Sequence, residues 1–115
     1  MGTDLAKGHL DLLLLTVLRS GPRHGYAVIS ELRDRTEGAL DLPEGTVYPA
    51  LHRLQDDGLL SSDWQDVAGR RRRVYRLTDQ GRVVEAGEQQ RWHRFRTAVD
   101  AVLLLSQPGF SGNPA

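Results

Sequence analysis

The sequence predicts a mainly α-helical protein interrupted by one β-hairpin and closed by one long helix. Three observations carry this expectation. Apolar residues recur at helical spacing in three short segments before residue 58, the period switches to two over 59–77, and a heptad-like spacing appears from Val84 to Val102.

The first helix is expected over His9–Arg19. Leu10, Leu13, Leu14, Val17 and Leu18 form the stripe, and Leu12 and Leu15 widen it beyond one face. A helix apolar over so much of its girth predicts burial on two sides, the second of which a partner subunit could cover. Gly21 and Pro22 end it. A second helix is expected over Gly25–Thr36, stopped by Gly38, although no Ser, Thr, Asp or Asn sits at its N-cap. Ala39–Leu42 reads as a connector able to pair as a strand. The third helix is expected over Pro43–Asp57, with Pro43 at the first helical position and Gly58 as its stop. Val47, Ala50, Leu51 and Leu54 face inward, so Gly45, Pro49, His52, Arg53 and Asp56 face outward, flanked by Thr46 and Tyr48. Pro49 removes one amide donor and crowds the Gly45 carbonyl, which predicts an irregular first turn.

Leu59–Gln65 and Arg71–Leu77 then alternate as strands, joined through Asp66–Arg70 with Gly69 in the turn. Leu60, Tyr75 and Leu77 are expected to pack on the helices. Thr78 is a natural N-cap, with Asp79 in the first turn of a helix running to Leu105. Val84, Trp92, Phe95, Val99 and Val102 lie along a near-heptad seam. The expected organisation is a domain over 1–78, a dimerisation helix over 79–105 and a flexible tail over 106–115.

The 115 residues suit one domain with a modest core. The longest apolar run, Leu12–Leu15, is far short of the ~18–20 residues a membrane helix needs. No secretory signal pattern opens the chain, and cysteine is absent. The expectation is a cytoplasmic protein with no membrane partner, no disulfide and no thiol chemistry. Net charge is zero but unevenly spread. Residues 1–66 carry a net −5 and residues 67–96 a net +6. A neutral chain can therefore still present a basic stripe.

Three helices followed by a basic hairpin describe a winged helix-turn-helix. In that architecture the third helix enters the DNA major groove and the hairpin, or wing, lies along the backbone or minor groove. Gly45, Thr46, Tyr48, Pro49, His52 and Arg53 are the candidate reading residues, through close approach and hydrogen-bond donors. A packing role for Tyr48 and Pro49 fits the same pattern. Arg70, Arg71, Arg72 and Arg73 at the wing are the candidate phosphate contacts, or alternatively the partners of Asp63 and Asp66. Arg23, His24, Gly25 and Tyr26 open the second helix, where free amides can seat a phosphate. Capping and packing are equally natural for His24 and Tyr26.

The segments His24-Gly25-Tyr26, Glu44–Leu54 with its Gly-Thr-Val-Tyr-Pro-Ala-Leu core, Gly58-Leu59-Leu60 and Arg73–Thr78, together with Gly81, resemble the PadR family of bacterial transcriptional regulators. The resemblance covers roughly residues 8–95 and is closest to the subgroup with a single C-terminal helix. Pro43 departs from it, since similar sequences often place a serine cap there. The resemblance implies a homodimeric repressor on a palindromic operator, with the first and last helices forming the dimer interface. Leu10, Leu13, Leu14, Trp92, Phe95, Val99 and Val102 are the residues it points to. It also implies small aromatic or cationic effectors in some members, with Trp92 and Phe95 as candidate lining residues, although seam packing explains both rings as well.

Catalysis is not expected. The sequence has no phosphate-cradling glycine motif, no Gly-x-Ser-x-Gly and no His-Glu-x-x-His. His9, His24, His52 and His93 are scattered, with no pair at i, i+3 or i+4, and no cofactor or metal is expected. The rival reading is a winged helix that docks on an acidic protein surface instead of DNA.

Overall fold

The computed structural model describes residues 8–106. The tail expected beyond Ser106 lies outside the described residues. The elements are α1 (Leu10–Arg19), β1 (Arg23–His24), α2 (Gly25–Arg35), α3 (Glu44–Asp56), β2 (Leu60–Val67), β3 (Arg70–Leu77) and α4 (Asp79–Ser106). The fold is a winged helix: three short helices, a three-stranded antiparallel sheet in the order β1-β3-β2, and a long final helix.

The apolar stripes meet in one core. Leu14, Leu15, Val17 and Leu18 of α1 join Val28, Ile29 and Leu32 of α2 and Val47, Ala50, Leu51 and Leu54 of α3. Leu60, Tyr75 and Leu77 close it from the base of the hairpin, as the alternation predicts. The wide girth of α1 follows from its position, in contact with α2, α3 and β3 at once. This corrects the expectation for Leu14. It is fully buried inside its own chain and has no surface to give a partner, whereas Leu10 and Leu13 stay half-buried at the core margin.

Two connectors differ from expectation. Ala39–Leu42 forms no strand. Instead Leu42 inserts into the core, and the Leu40 amide donates to Thr36 Oγ1 (2.9 Å). The third strand comes from Arg23–His24, which pairs with Tyr75 and Val74 on the open edge of β3. The hairpin is also longer than expected. Its connector is only Ala68-Gly69, with φ of 52° and 79°, the positive pair that a type I′ turn requires.

Both ends of α3 have a definite local cause. Pro43 sits at the N-cap in an extended conformation, one residue before the helix, rather than at the first helical position. The Thr46 and Val47 amides both donate to its carbonyl. The helix runs unbroken through Pro49, so the expected irregularity does not interrupt it. At the other end Gly58 adopts φ 82°, the Gly58 amide donates to the Gln55 carbonyl, and the Leu59 amide donates to the Leu54 carbonyl. That is the Schellman arrangement, and it turns the chain directly into β2.

Thr78 caps α4 as expected, accepting from the Gly81 amide at 3.0 Å. Its hydroxyl also donates to the Gly58 carbonyl at 2.7 Å, which ties the start of α4 to the end of α3. The chain forms two compact units that divide after Glu85. The first turns of α4 thus belong with the winged helix. Val84 packs against the core, and the buried Glu85 carboxylate accepts from Thr16 Oγ1 (3.0 Å) and lies 3.5 Å from the Arg19 guanidinium. In the second unit Phe95, Val99, Val102, Leu103 and Leu104 are exposed along the rest of α4, and the Trp92 and Phe95 rings lie 5.9 Å apart. No helix among the described residues is long and apolar enough to cross a membrane.

Gly81 is where α4 presses on the hairpin base. A Cβ there would land on the Leu59 carbonyl oxygen and within 3.1 Å of Leu77 Cδ2. Backbone cannot swing away as a side chain can, so Gly81→Ala is expected to destabilise the fold by about 1–3 kcal/mol, measured by urea denaturation.

Candidate nucleic-acid interface

With one face of α3 buried, its other face is fixed outward. Gly45, Pro49, His52 and Arg53 are exposed, and Thr46 and Tyr48 are half-buried on the flanks, as the helical spacing predicts. Beyond its chain neighbours and its own helix backbone, no atom of the described residues lies within 4 Å of where a Gly45 Cβ would be, so a large partner can approach the backbone there.

α3, the start of α2 and the hairpin enclose a groove of about 740 Å³. His24 and Gly25 line one end. Tyr48, His52, Gln55 and Asp56 line the α3 wall, and Trp64, Arg71, Arg72, Arg73 and Tyr75 line the wing. Sequence patterning places Asp56 on the outward face without a role and gives no role in the groove to Trp64 or Gln55.

The facing side of the hairpin changes chemistry rung by rung. Leu60 pairs with Leu77, Ser62 with Tyr75, Trp64 with Arg73, and Asp66 with Arg71. The series runs from core, through a hydroxyl and a phenol, to an indole and a guanidinium, and ends in exposed charge. Arg73 lies over the Trp64 ring at 5.2 Å from its centroid.

The arginines are only partly neutralised. Asp63 takes Arg76 at 3.3 Å, and Asp66 reaches Arg71 only at 4.0 Å with both side chains well exposed. Among the described residues no carboxylate forms an ion pair with Arg70, Arg72 or Arg73. Pairing across the hairpin therefore does not account for the cluster.

Other site residues have structural partners. Arg53 is held in a fork by Asp11 of α1, at 2.6 and 3.1 Å, and does not line the groove. Arg23 lies 3.7 Å from Glu31. Tyr26 is exposed. The Tyr48 ring packs against the start of α2, where a Cβ on Gly25 would come within 2.5 Å of Cε1. Glycine at 25 is thus required by that ring. Burial pushes the Tyr48 phenol above its ordinary range, the Glu44 charge adds to this, and Arg72 and the Tyr26 amide pull the other way. The phenol stays a neutral donor.

His24 supplies the missing N-cap of α2. Its Nδ1 accepts from the Ala27 amide at 3.2 Å. Accepting there requires a neutral ring protonated at Nε2. Burial, and then the nearby Arg72, hold its pKa below the ordinary 6.5, which favours that neutral form.

The architecture defines a class: a winged helix whose third helix and hairpin share one cationic groove. The comparisons with known proteins give the family. Residues 14–86 match the family model described as the transcriptional regulator PadR-like family, and the chain belongs to that family. It is 48% identical over 60 residues to Transcriptional regulator Rv3488 of Mycobacterium tuberculosis, a match covering 52% of this chain and 43% of that one. The chain thus spans less than half of that relative. A PadR family transcriptional regulator from Eggerthella lenta superposes with a TM-score of 0.75 at 34% identity, covering 87% of this chain and 86% of the other. A transcriptional regulator from Clostridium thermocellum gives 0.77 at 26% identity, covering 85% and 96%.

The cap gives a pH-dependent prediction. Because the folded-state pKa of His24 is depressed, the folded chain binds fewer protons than the unfolded chain just below pH 6.5. The cap's contribution is complete above that value and is lost as pH falls through the folded pKa. His24→Asn keeps a capping acceptor and removes this titration. Thermal unfolding at pH 7 and pH 5 should show the wild type losing more stability on acidification than His24→Asn.

Proposed function

We propose that the protein is a homodimeric, sequence-specific DNA-binding repressor, with α3 in the major groove and the wing on the phosphate backbone. The observation that carries the reading is the arginine run of β3. It is exposed at the tip, Arg70 and Arg72 have no carboxylate partner among the described residues, and the run borders the same groove as the outward face of α3. A cation without a fixed carboxylate is the form that neutralises phosphate and releases counterions. Thr46, Tyr48 and His52 supply donors beside it, and family membership supports the regulatory role. Arg53 reaches DNA in this reading only by leaving Asp11. Both side chains are about half exposed, so that fork contributes roughly 0–1 kcal/mol and opposes the exchange weakly.

Two copies related by a two-fold axis would place their α3 helices in successive major grooves, ~34–36 Å apart on a palindromic site. The exposed apolar residues Phe95, Val99 and Val102 of α4, with Leu10 and Leu13 of α1, support the dimer. The adjacent Trp92 and Phe95 rings support an aromatic or cationic effector at that seam.

Fluorescence anisotropy on the protein's own upstream DNA, against scrambled duplex at several salt concentrations, tests the DNA reading. Arg71→Ala should weaken both duplexes by similar factors and lower the salt slope by ~0.9. Thr46→Ala should lower the ratio between them. Binding to an acidic protein and none to either duplex would replace this reading with the protein-docking one. Val99→Glu should place an unpaired charge in the seam and give a light-scattering mass of one chain. A mass that stays at two chains would put the interface elsewhere.

A further inference from the structure

The four arginines of β3 are not alike. Arg71 is well exposed and only 4.0 Å from Asp66, and Arg70 and Arg72 have no carboxylate partner among the described residues. Arg73 is engaged within the wing: its guanidinium lies over the Trp64 ring at 5.2 Å, on the same face of β3 as Tyr75. Tyr75 in turn lies 6.4 Å from the His52 ring of α3, tilted by 40°. Opposite Tyr75 on the same rung, Ser62 Oγ donates to Gln55 Oε1 of α3 at 2.5 Å. The contacts Gln55–Ser62 and His52–Tyr75 thus join one rung of the wing to α3, and the Arg73–Trp64 pair occupies the next rung outward on the same face of the hairpin.

On this arrangement, and resting on the DNA-binding reading above, we propose that Trp64 and Arg73 are positioning residues that set operator selectivity, and that Arg73 is not a phosphate contact. A guanidinium stacked over an indole face is less free to turn toward a phosphate than the exposed arginines at the tip. What it does instead is hold the outer half of the wing at one opening from α3. The distance between the base-reading face and the backbone-contacting tip is then a fixed length. A duplex whose groove width matches that length is bound without deformation, and others must deform. Without the brace the wing's cations remain and still neutralise phosphates, but at no fixed distance from α3.

The roles separate by measurement. The probe is a duplex enriched by this protein from a random library, compared with scrambled duplex by anisotropy across a salt series. Arg73→Lys keeps the charge and loses the planar stack. It is expected to weaken the selected duplex tenfold or more, leave scrambled duplex within twofold, and leave the salt slope unchanged. Trp64→Ala should do the same, and Trp64→Phe should restore most of the selectivity because it retains a ring face. Trp64 is 54% exposed, so these variants should keep the wild-type melting temperature to within a few degrees. Arg71→Ala is the contrast, lowering the slope by ~0.9 and weakening both duplexes alike. The proposal is overturned if Arg73→Lys binds like the wild type while Arg73→Ala lowers the slope, since Arg73 is then an ordinary phosphate cation. Unchanged selectivity in Trp64→Ala also overturns it. If the wild type enriches no duplex at all, the DNA-binding reading itself fails.

Discussion

The fold depends on the burial of one face of α3. Val47, Leu51 and Leu54 are fully enclosed and Ala50 nearly so, held by α1, α2 and the base of the hairpin. A helix fixed so firmly on one side has no rotational freedom on the other. The orientation of Gly45, Pro49 and His52 is therefore set by packing several ångströms away. Each large side chain in that core is worth roughly 2–5 kcal/mol when truncated to alanine, more than the exposed ion pairs of the surface contribute. The hydrophobic core thus decides where the polar face points, and the charges decide what it meets.

The wing obeys a second constraint. A type I′ turn fixes its register, and register fixes which side chains share a face. Ala68 takes a left-handed conformation that costs a non-glycine residue about 1–2 kcal/mol. The turn offsets this by closing two eight-residue strands with no slack between them. The Arg73–Trp64 and Arg71–Asp66 rungs are consequences of that register.

Much of this was legible in the sequence. The helices follow from the 3.6-residue period of their leucines and valines, and the hairpin follows from the alternation that ends at Leu77. The outward face of α3 follows from the inward one. What could not be read was contact between distant segments. The pairing of Arg23-His24 with β3 carries no signal in a two-residue stretch. The cap at His24 departs from the usual residue types, because an imidazole nitrogen serves in place of a side-chain oxygen. A five-residue connector left the register open, so Trp64 was not seen to face Arg73. The fork between Asp11 and Arg53 joins residues 42 positions apart, and no local pattern announces it. Leu14 was given to a partner surface because periodicity shows that a face is apolar without showing what covers it.

The Schellman end of α3 leaves only residues 57–59 between the helix and the hairpin, and the Gly58 carbonyl accepts from Thr78 as well. Helix, hairpin and the root of the final helix are therefore joined at one knot with no slack loop among them. A lever built this way has no joint at its base. Within the winged helix, α3 and the base of the hairpin therefore turn as one piece, and only the tip of the wing, where the packing thins, stands apart from it.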